Sequence, residues 1–290
     1  MLEQLRVIPY VWARSDTETY TDIRQRTNEL AEFLPGRSMG TFGHPILLGT
    51  FAAVALILSI VIVTSSRRWT YLFIAALAAS TILMSGTRSA AAAATVAITC
   101  LIVFQKGRFL LLRLLVGGTL AVLLLFYEQI IASVFNAEVI ESVSFTHRSR
   151  ILSSLPALLD RNDFAFIFGS GAGSIDQLFS DGIVSGYGTF RFFDNQYVRL
   201  VALSGIVGLM LFAIAAVRAL WKGSRASRAM LVTLLVMMAS FDTLTWDFTL
   251  VLTVIPLAAG VLVPHEKRSL RPAKYDAGHL LERTKGEQRT

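Results

Sequence analysis

The 290-residue sequence has one cysteine, four histidines and little charge, with Asp, Glu, Lys and Arg together at 16%. A single cysteine rules out a disulfide framework or a cysteine-based metal site within one chain, and Cys100 falls inside an apolar run, where packing is its expected role. His, Asp and Glu show no metal-ligand spacing, and there is no nucleophile elbow. The glycine-rich stretch "FGSGAGSID" resembles a phosphate loop only in composition. No Gly-Lys-Ser/Thr follows it and no dinucleotide unit surrounds it, so it reads as a turn. The apolar runs also lack alternation: "ILLGTFAAVALILSIVIV" has no polar residue at every second place, which excludes barrel strands. Internal repeats and low-complexity linkers are missing as well.

What the sequence has in abundance is apolar residues, 54% of the chain, in long blocks. Blocks of about 20 residues are what a helix needs to cross hydrocarbon. Seven occur, at roughly 45–64, 69–86, 88–105, 109–127, 196–217, 229–245 and 247–263. The expected fold is therefore all-α, a polytopic transmembrane bundle of about seven spans. Residues 1–44 form an external N-terminal segment, 45–127 carry four spans, 128–195 form a long external loop, 196–263 carry three spans, and 264–290 are a polar cytoplasmic tail.

Charge sets the orientation. Of 27 Lys and Arg and 20 Asp and Glu, sixteen basic and four acidic groups fall on one side when alternate loops are assigned to two sides. By the positive-inside rule that side is cytoplasmic. The basic balance is thus a topological signature pointing to anionic headgroups, with no nucleic-acid partner. In the first 44 residues "TETYTDIRQRTNELAEFL" has weak potential for a surface helix.

The spans hold almost no charge. Arg113 and Arg199 lie near span ends, where long side chains can snorkel to water. A proton-coupled pump needs carboxylates or histidines at mid-depth, so attention moves to the outer surface, where polar groups form four clusters. In "GTFGHPILLG", His44 precedes Pro45, a favourable first-turn residue, and a helix-initiating role weighs evenly against a substrate contact. In the tight turn "SGTRSA", Arg88 offers a planar fork suited to a diphosphate or to lipid phosphate. "THRSRI" places His147, Arg148 and Arg150 together on the long external segment, whose "RSRILSSLPALLD" has helical potential. Finally, Asp194 and Asn195 stand immediately before the fifth span; Asp194 can cap that helix, act as a general base, or do both. A last external hairpin, "FDTLTWDF", sets Asp242 and Asp247 beside an interfacial Trp246.

In order, "GTFGHPILLG", "SGTRSA", "RSRILSSLPALLDRNDFAFIFGSGAGSI" and "DNQYVRLVALSGIVGLMLF" resemble the bacterial O-antigen ligase and Wzy-type polysaccharide polymerase superfamily, over most of residues 37–215. The resemblance implies a glycosyltransferase of the cytoplasmic (inner) membrane that works without metal or nucleotide cofactor. It would take an undecaprenyl-diphosphate-linked glycan donor and a glycan or lipid acceptor at the outer face, in surface polysaccharide biosynthesis. Other polysaccharide-assembly proteins are candidate partners.

In the ligases, arginines of the tight turn and the loop helix bind the donor diphosphate, and these match Arg88 and Arg150, with Arg148 adjacent. Asp194 and Asn195 take the catalytic position, with His44 and His147 as substrate contacts. Where the ligases carry a histidine ahead of the last motif, this sequence has Asp194, and no histidine falls between Arg148 and His265. A polymerase is therefore at least as well matched as a ligase. Relatives usually have ten to twelve helices, so the chain is expected to be the C-terminal part of a longer protein or a short member. The competing classes are a non-catalytic component or translocator of lipid-linked oligosaccharide, and a truncated inactive member.

Overall fold

The computed structural model describes residues 28, 30, 36–103, 143–186 and 191–262. Every regular element among them is helical, with no strand among the described residues. The all-α expectation holds.

Helix α1, Pro45–Ser66, starts where the sequence suggests: Pro45 sits in its first turn, and His44 is the cap, accepting from the Ile46 amide. It ends at Arg67, whose amide returns to the Val63 carbonyl. Helix α2, Tyr71–Ser85, closes on Gly86, which is left-handed at φ 61° and turns the chain directly into α3, Arg88–Val103. Residues 143–186 hold short helices: α4, Val143–Ser153; α5, Leu155–Leu159; α6, Asp163–Phe168; and α7, Ile175–Ser180. The expected helix over "RSRILSSLPALLD" is present but interrupted. Pro156 lacks an amide hydrogen and crowds the preceding turn, so the chain restarts after Ser154. The last three helices are α8, Gln196–Lys222; α9, Arg225–Met238; and α10, Asp247–Leu262.

Two helices, α1 and α8, are long and apolar enough to cross a membrane by length and composition. The other expected spans come out shorter than a full crossing: α2, α3, α9 and α10 have 15, 16, 14 and 16 residues. The block expected at 229–245 runs instead from Arg225 to Met238. Ser224 caps its start through the Ser227 amide, and the chain turns back after Met238 to bring Asp242 to an arginine of α8. The block at 109–127, the external segment 1–27 and the tail from 264 lie outside the described residues.

α8 is not one continuous helix. Gly205 inside it has φ 63° and ψ −165°, a backbone conformation that ends one helical segment and begins another. The reason is spatial. A Cβ on Gly205 would stand 2.3 Å from the Ile167 carbonyl oxygen, and one on Gly169 would stand 2.3 Å from the Leu203 carbonyl carbon. The end of α6 is pressed into the break.

The bundle packs through small residues. Ala52 and Ala53 of α1, Ile82 of α2, Ala90, Ala93 and Ala94 of α3, and Met237 of α9 share one buried cluster. Short side chains let helix backbones approach closely. A second cluster joins the α4–α7 segment to the start of α8: Ile151, Leu158, Leu178, Val184 and Phe193 bury against Val198, Val201 and Ala202. Each large side chain so buried contributes about 1.5–3 kcal/mol of apolar transfer, enough to give the segment structure of its own.

Candidate functional site

Four helix ends meet at one pole of the bundle. The His44 ring lies 6.5 Å from Phe241 and 6.0 Å from Trp246, placing the start of α1 against the α9–α10 hairpin. Thr87, directly ahead of Arg88, donates from its hydroxyl to the Pro45 carbonyl at 3.1 Å. Asn195 at the start of α8 donates from Nδ2 to the Ala239 carbonyl at 3.0 Å. The clusters around His44, Arg88, Asn195 and Asp242, distant in sequence, thus share this end of the fold.

The division of labour between Asp194 and Asn195 corrects the sequence expectation. Asn195 caps α8, its Oδ1 accepting from the Tyr197 amide at 3.0 Å and the Val198 amide at 3.1 Å. The capping role open to Asp194 is thereby filled by its neighbour. Asp194 turns instead toward α4, where Arg148 Nε stands 3.7 Å from its Oδ2. That distance is an ion pair and too long for a hydrogen bond. The Asp194 side chain is largely buried, at 15% exposure. Burial pushes its pKa up, with the positive field of Arg148, and then of His147, pulling the other way.

His147 is itself buried. Its Nε2 donates to the Phe192 carbonyl at 3.0 Å, and its ring lies 4.8 Å from that of Phe192. Since a carbonyl only accepts, Nε2 carries the hydrogen in this contact. The bond ties α4 to the irregular segment that leads to Asp194. Arg150 is exposed on a different side of α4 from Arg148, as two residues of helix require, and reaches the Gly186 carbonyl at 3.4 Å. Arg88 is exposed at the first position of α3. Of the three expected phosphate-handling arginines, Arg148 adjoins Asp194.

A second acid–base pair lies beside the first. Arg199 does not snorkel to water as its position in sequence suggested. Its Nη1 is 3.0 Å from Asp242 Oδ2, and it also donates to the Thr245 hydroxyl. Asp242 is pushed up to about 6: burial raises it most, and the nearby Asp194 charge raises it further, against the Thr245 hydroxyl and Arg199. The two carboxylates therefore sense each other. Gln196 and Tyr197 complete the seam between α8 and the last two helices, with Gln196 Oε1 accepting from the Leu244 amide at 2.9 Å and the Tyr197 hydroxyl donating to the Leu235 carbonyl at 2.7 Å.

Three further features escaped the sequence reading. Asn28 is fully buried and donates to the Leu83 and Met84 carbonyls, while Arg37 donates to the Ser85 carbonyl at 2.9 Å, so both clasp the turn that presents Arg88. The carbonyls freed by the Gly205 break are taken up: Arg161 donates to Val201 and Ala202 at 3.0 and 3.1 Å, and the Ser170 and Gly171 amides donate to Ala202 and Leu203. Burial lowers the Arg161 pKa. The glycine-rich turn is thus a docking strap for a broken helix. Gly205 and Gly208 within the span expected at 196–217 are the local signal for such a break.

Among the described residues no group of three His, Cys, Asp or Glu comes together as a metal site needs. No family model matches the chain, and no curated protein or solved structure matches it.

Proposed function

We propose that the chain is a membrane glycan transferase that moves or polymerises an undecaprenyl-diphosphate-linked oligosaccharide at the outer face of the cytoplasmic membrane. On this reading the bundle is multi-pass with about seven spans, the segment around α4–α7 lies outside and the C-terminus is cytoplasmic. The observation that carries the proposal is Asp194, a sheltered carboxylate of raised pKa. It is relieved of capping duty by Asn195 and sits against Arg148, at the helix-end pole that also holds Arg88 and His44.

The chemistry suits that pairing. An acceptor hydroxyl attacks the anomeric carbon, the bond from that carbon to the diphosphate oxygen breaks, and the electron pair leaves with the diphosphate. Asp194 takes the hydroxyl proton, for which a raised pKa makes it the better base. The arginines meet the charge that grows on the leaving group, where fixed cations help most. Arg148 is placed to exchange its partner: it holds Asp194 in the resting site and turns to the diphosphate when the donor binds. Asn195 orients the segment by fixing the start of α8.

A translocator of lipid-linked oligosaccharide is the second reading. It is favoured by the break in α8, since discontinuous helices line transport sites. It ranks lower because the freed carbonyls are already occupied by Arg161, Ser170 and Gly171.

The test is deletion of the gene followed by measurement of surface polysaccharide length and accumulated lipid-linked repeat units, with complementation by wild type, Asp194→Asn and Arg148→Ala. Short or single units restored to long chains by wild type alone support transfer; full restoration by Asp194→Asn overturns it.

A further inference from the structure

The external segment exposes an apolar face that the bundle does not cover. In α6, Phe164 is 71% exposed, Phe168 54%, and Ile167 also faces outward. These positions, i, i+3 and i+4, lie on one side of the helix. The two phenylalanine rings pack together at a centroid distance of 5.3 Å. Leu152 and Leu159, just upstream, are exposed as well. Six-residue α6 is therefore apolar on the side away from α8, while Asn162 caps it and Arg161 anchors its base.

Its height relative to the membrane follows from α8. The end of α6 meets α8 at Gly205. At 1.5 Å per residue that point lies about 9 Å below Arg199, the ion-paired residue of the polar pole, and about 24 Å above Trp221. Trp221 is 82% exposed beside Lys222, and Trp69 is 69% exposed beside Arg67 and Arg68, as residues at a cytoplasmic membrane surface are. From Arg199 to Trp221 the two segments of α8 thus span at most about 33 Å, against about 30 Å for the hydrocarbon. With the inner edge of that layer at Trp221, the point where α6 meets α8 falls about 6 Å inside its outer edge. Below it on α8 the exposed residues are apolar as far as Val217, namely Val207, Met210, Leu211, Ile214 and Val217, and exposed Arg218 follows them near the Trp221 end.

From these placements we infer that α5 and α6 form an interfacial strap that inserts Phe164, Ile167 and Phe168 into the outer leaflet, among the upper acyl chains just below the headgroups. The occupant of the exposed face is lipid, because the face continues the apolar flank of α8 and lies level with its upper edge. The Gly205 break makes the notch in which the strap rests. The consequence for the site is positional: α4, with Arg148 and Arg150, is drawn down to the plane where the diphosphate of a lipid-linked donor sits. The inference rests on the membrane placement proposed above.

The experiment uses the full chain with Cys100→Ser, reconstituted in phosphatidylcholine vesicles. Single cysteines are introduced by Phe168→Cys, Phe164→Cys, Leu211→Cys and Asp181→Cys and labelled with a polarity-sensitive fluorophore. Quenching is read with nitroxides at a shallow or a deep acyl position. Labels at 168 and 164 should emit to the blue of the label at 181 and lose more intensity to shallow than to deep nitroxides, while the label at 211 is quenched within the acyl layer. If 168 and 164 behave like 181 while 211 is quenched, the strap inference falls and the membrane placement stands. If 211 is also unquenched, the membrane placement fails and takes the inference with it. Two strap positions guard against loss of either variant to misfolding.

Discussion

Arg148 Nε stands 3.7 Å from Asp194 Oδ2, while the next residue, Asn195, spends its side-chain oxygen on two amides of α8. Of two adjacent polar residues one caps a helix and the other faces an arginine, and substitution can separate the proposed chemical role from the architectural one. Asp194→Asn should leave the thermal midpoint near that of wild type and lower turnover by roughly 10²–10⁴-fold, the usual worth of a general base. Asn195→Ala should do the reverse in emphasis, costing about 1 kcal/mol for the lost cap. Paired measurements of unfolding and of transfer from a lipid-linked donor check both; unchanged turnover in Asp194→Asn would remove it as the base.

The arginines proposed to handle phosphate give a separate expectation. Arg88→Ala and Arg150→Ala each change an exposed side chain, so both proteins should fold and accumulate as wild type. Transfer should be abolished in each, read as loss of long glycan chains. Full activity in either would strike that residue from the site.

Asp242 predicts a pH dependence of stability. Its folded pKa of about 6 lies above the ordinary value of 3.8, so between these values the folded state binds more protons than the unfolded one. Stability must therefore fall as pH rises from about 4 to about 6, and level off above. Asp194, raised by the same burial, contributes with the same sign. Unfolding midpoints across pH 4 to 8 should show this slope, and Asp242→Asn, a neutral stand-in for the protonated acid, should flatten it and keep stability at neutral pH close to its value near pH 4.

Arg161 holds the broken end of α8. Arg161→Met removes the donors to Leu158, Val201 and Ala202, leaving carbonyls without partners. The expected cost is about 2–4 kcal/mol, from charged hydrogen bonds worth roughly 1.5–3 kcal/mol each and partial rescue by water. Arg161→Lys should recover only part of this, because an ammonium cannot reach several carbonyls as a planar fork does. Thermal unfolding of the three proteins ranks them.

Gly205→Ala tests the notch. The added Cβ would meet the Ile167 carbonyl at 2.3 Å in a backbone conformation that L side chains rarely adopt, so α6 must lift away. Hydrogen exchange at the Ser170 and Gly171 amides, which are bonded to Ala202 and Leu203, should then accelerate. Unchanged protection would mean that the helix break does not hold the strap.

Much of this was legible along the chain. Apolar blocks without alternation specify helices, Pro45 after His44 marks the start of α1, and "RSRILSSLPALLD" announces the helix that carries Arg148. Block lengths were less informative, since the blocks at 69–86 and 229–245 are trimmed or shifted by Gly86, by the Ser224 cap and by the hairpin that delivers Asp242. The choice between Asp194 and Asn195 as cap could not be read either, because both side chains accept equally well from first-turn amides.

By itself the sequence determined that the described chain is helical and apolar, and that its arginines, histidines and aspartates gather between helices, because those properties follow from periodicity and composition. Only tertiary structure decided which of those groups meet. Arg199 and Asp242 are 43 residues apart and Arg161 and Ala202 are 41 apart. Partner choice over such distances depends on how helices pack, on a glycine break whose worth appears only when another backbone fills it, and on which carboxylate burial leaves facing an arginine.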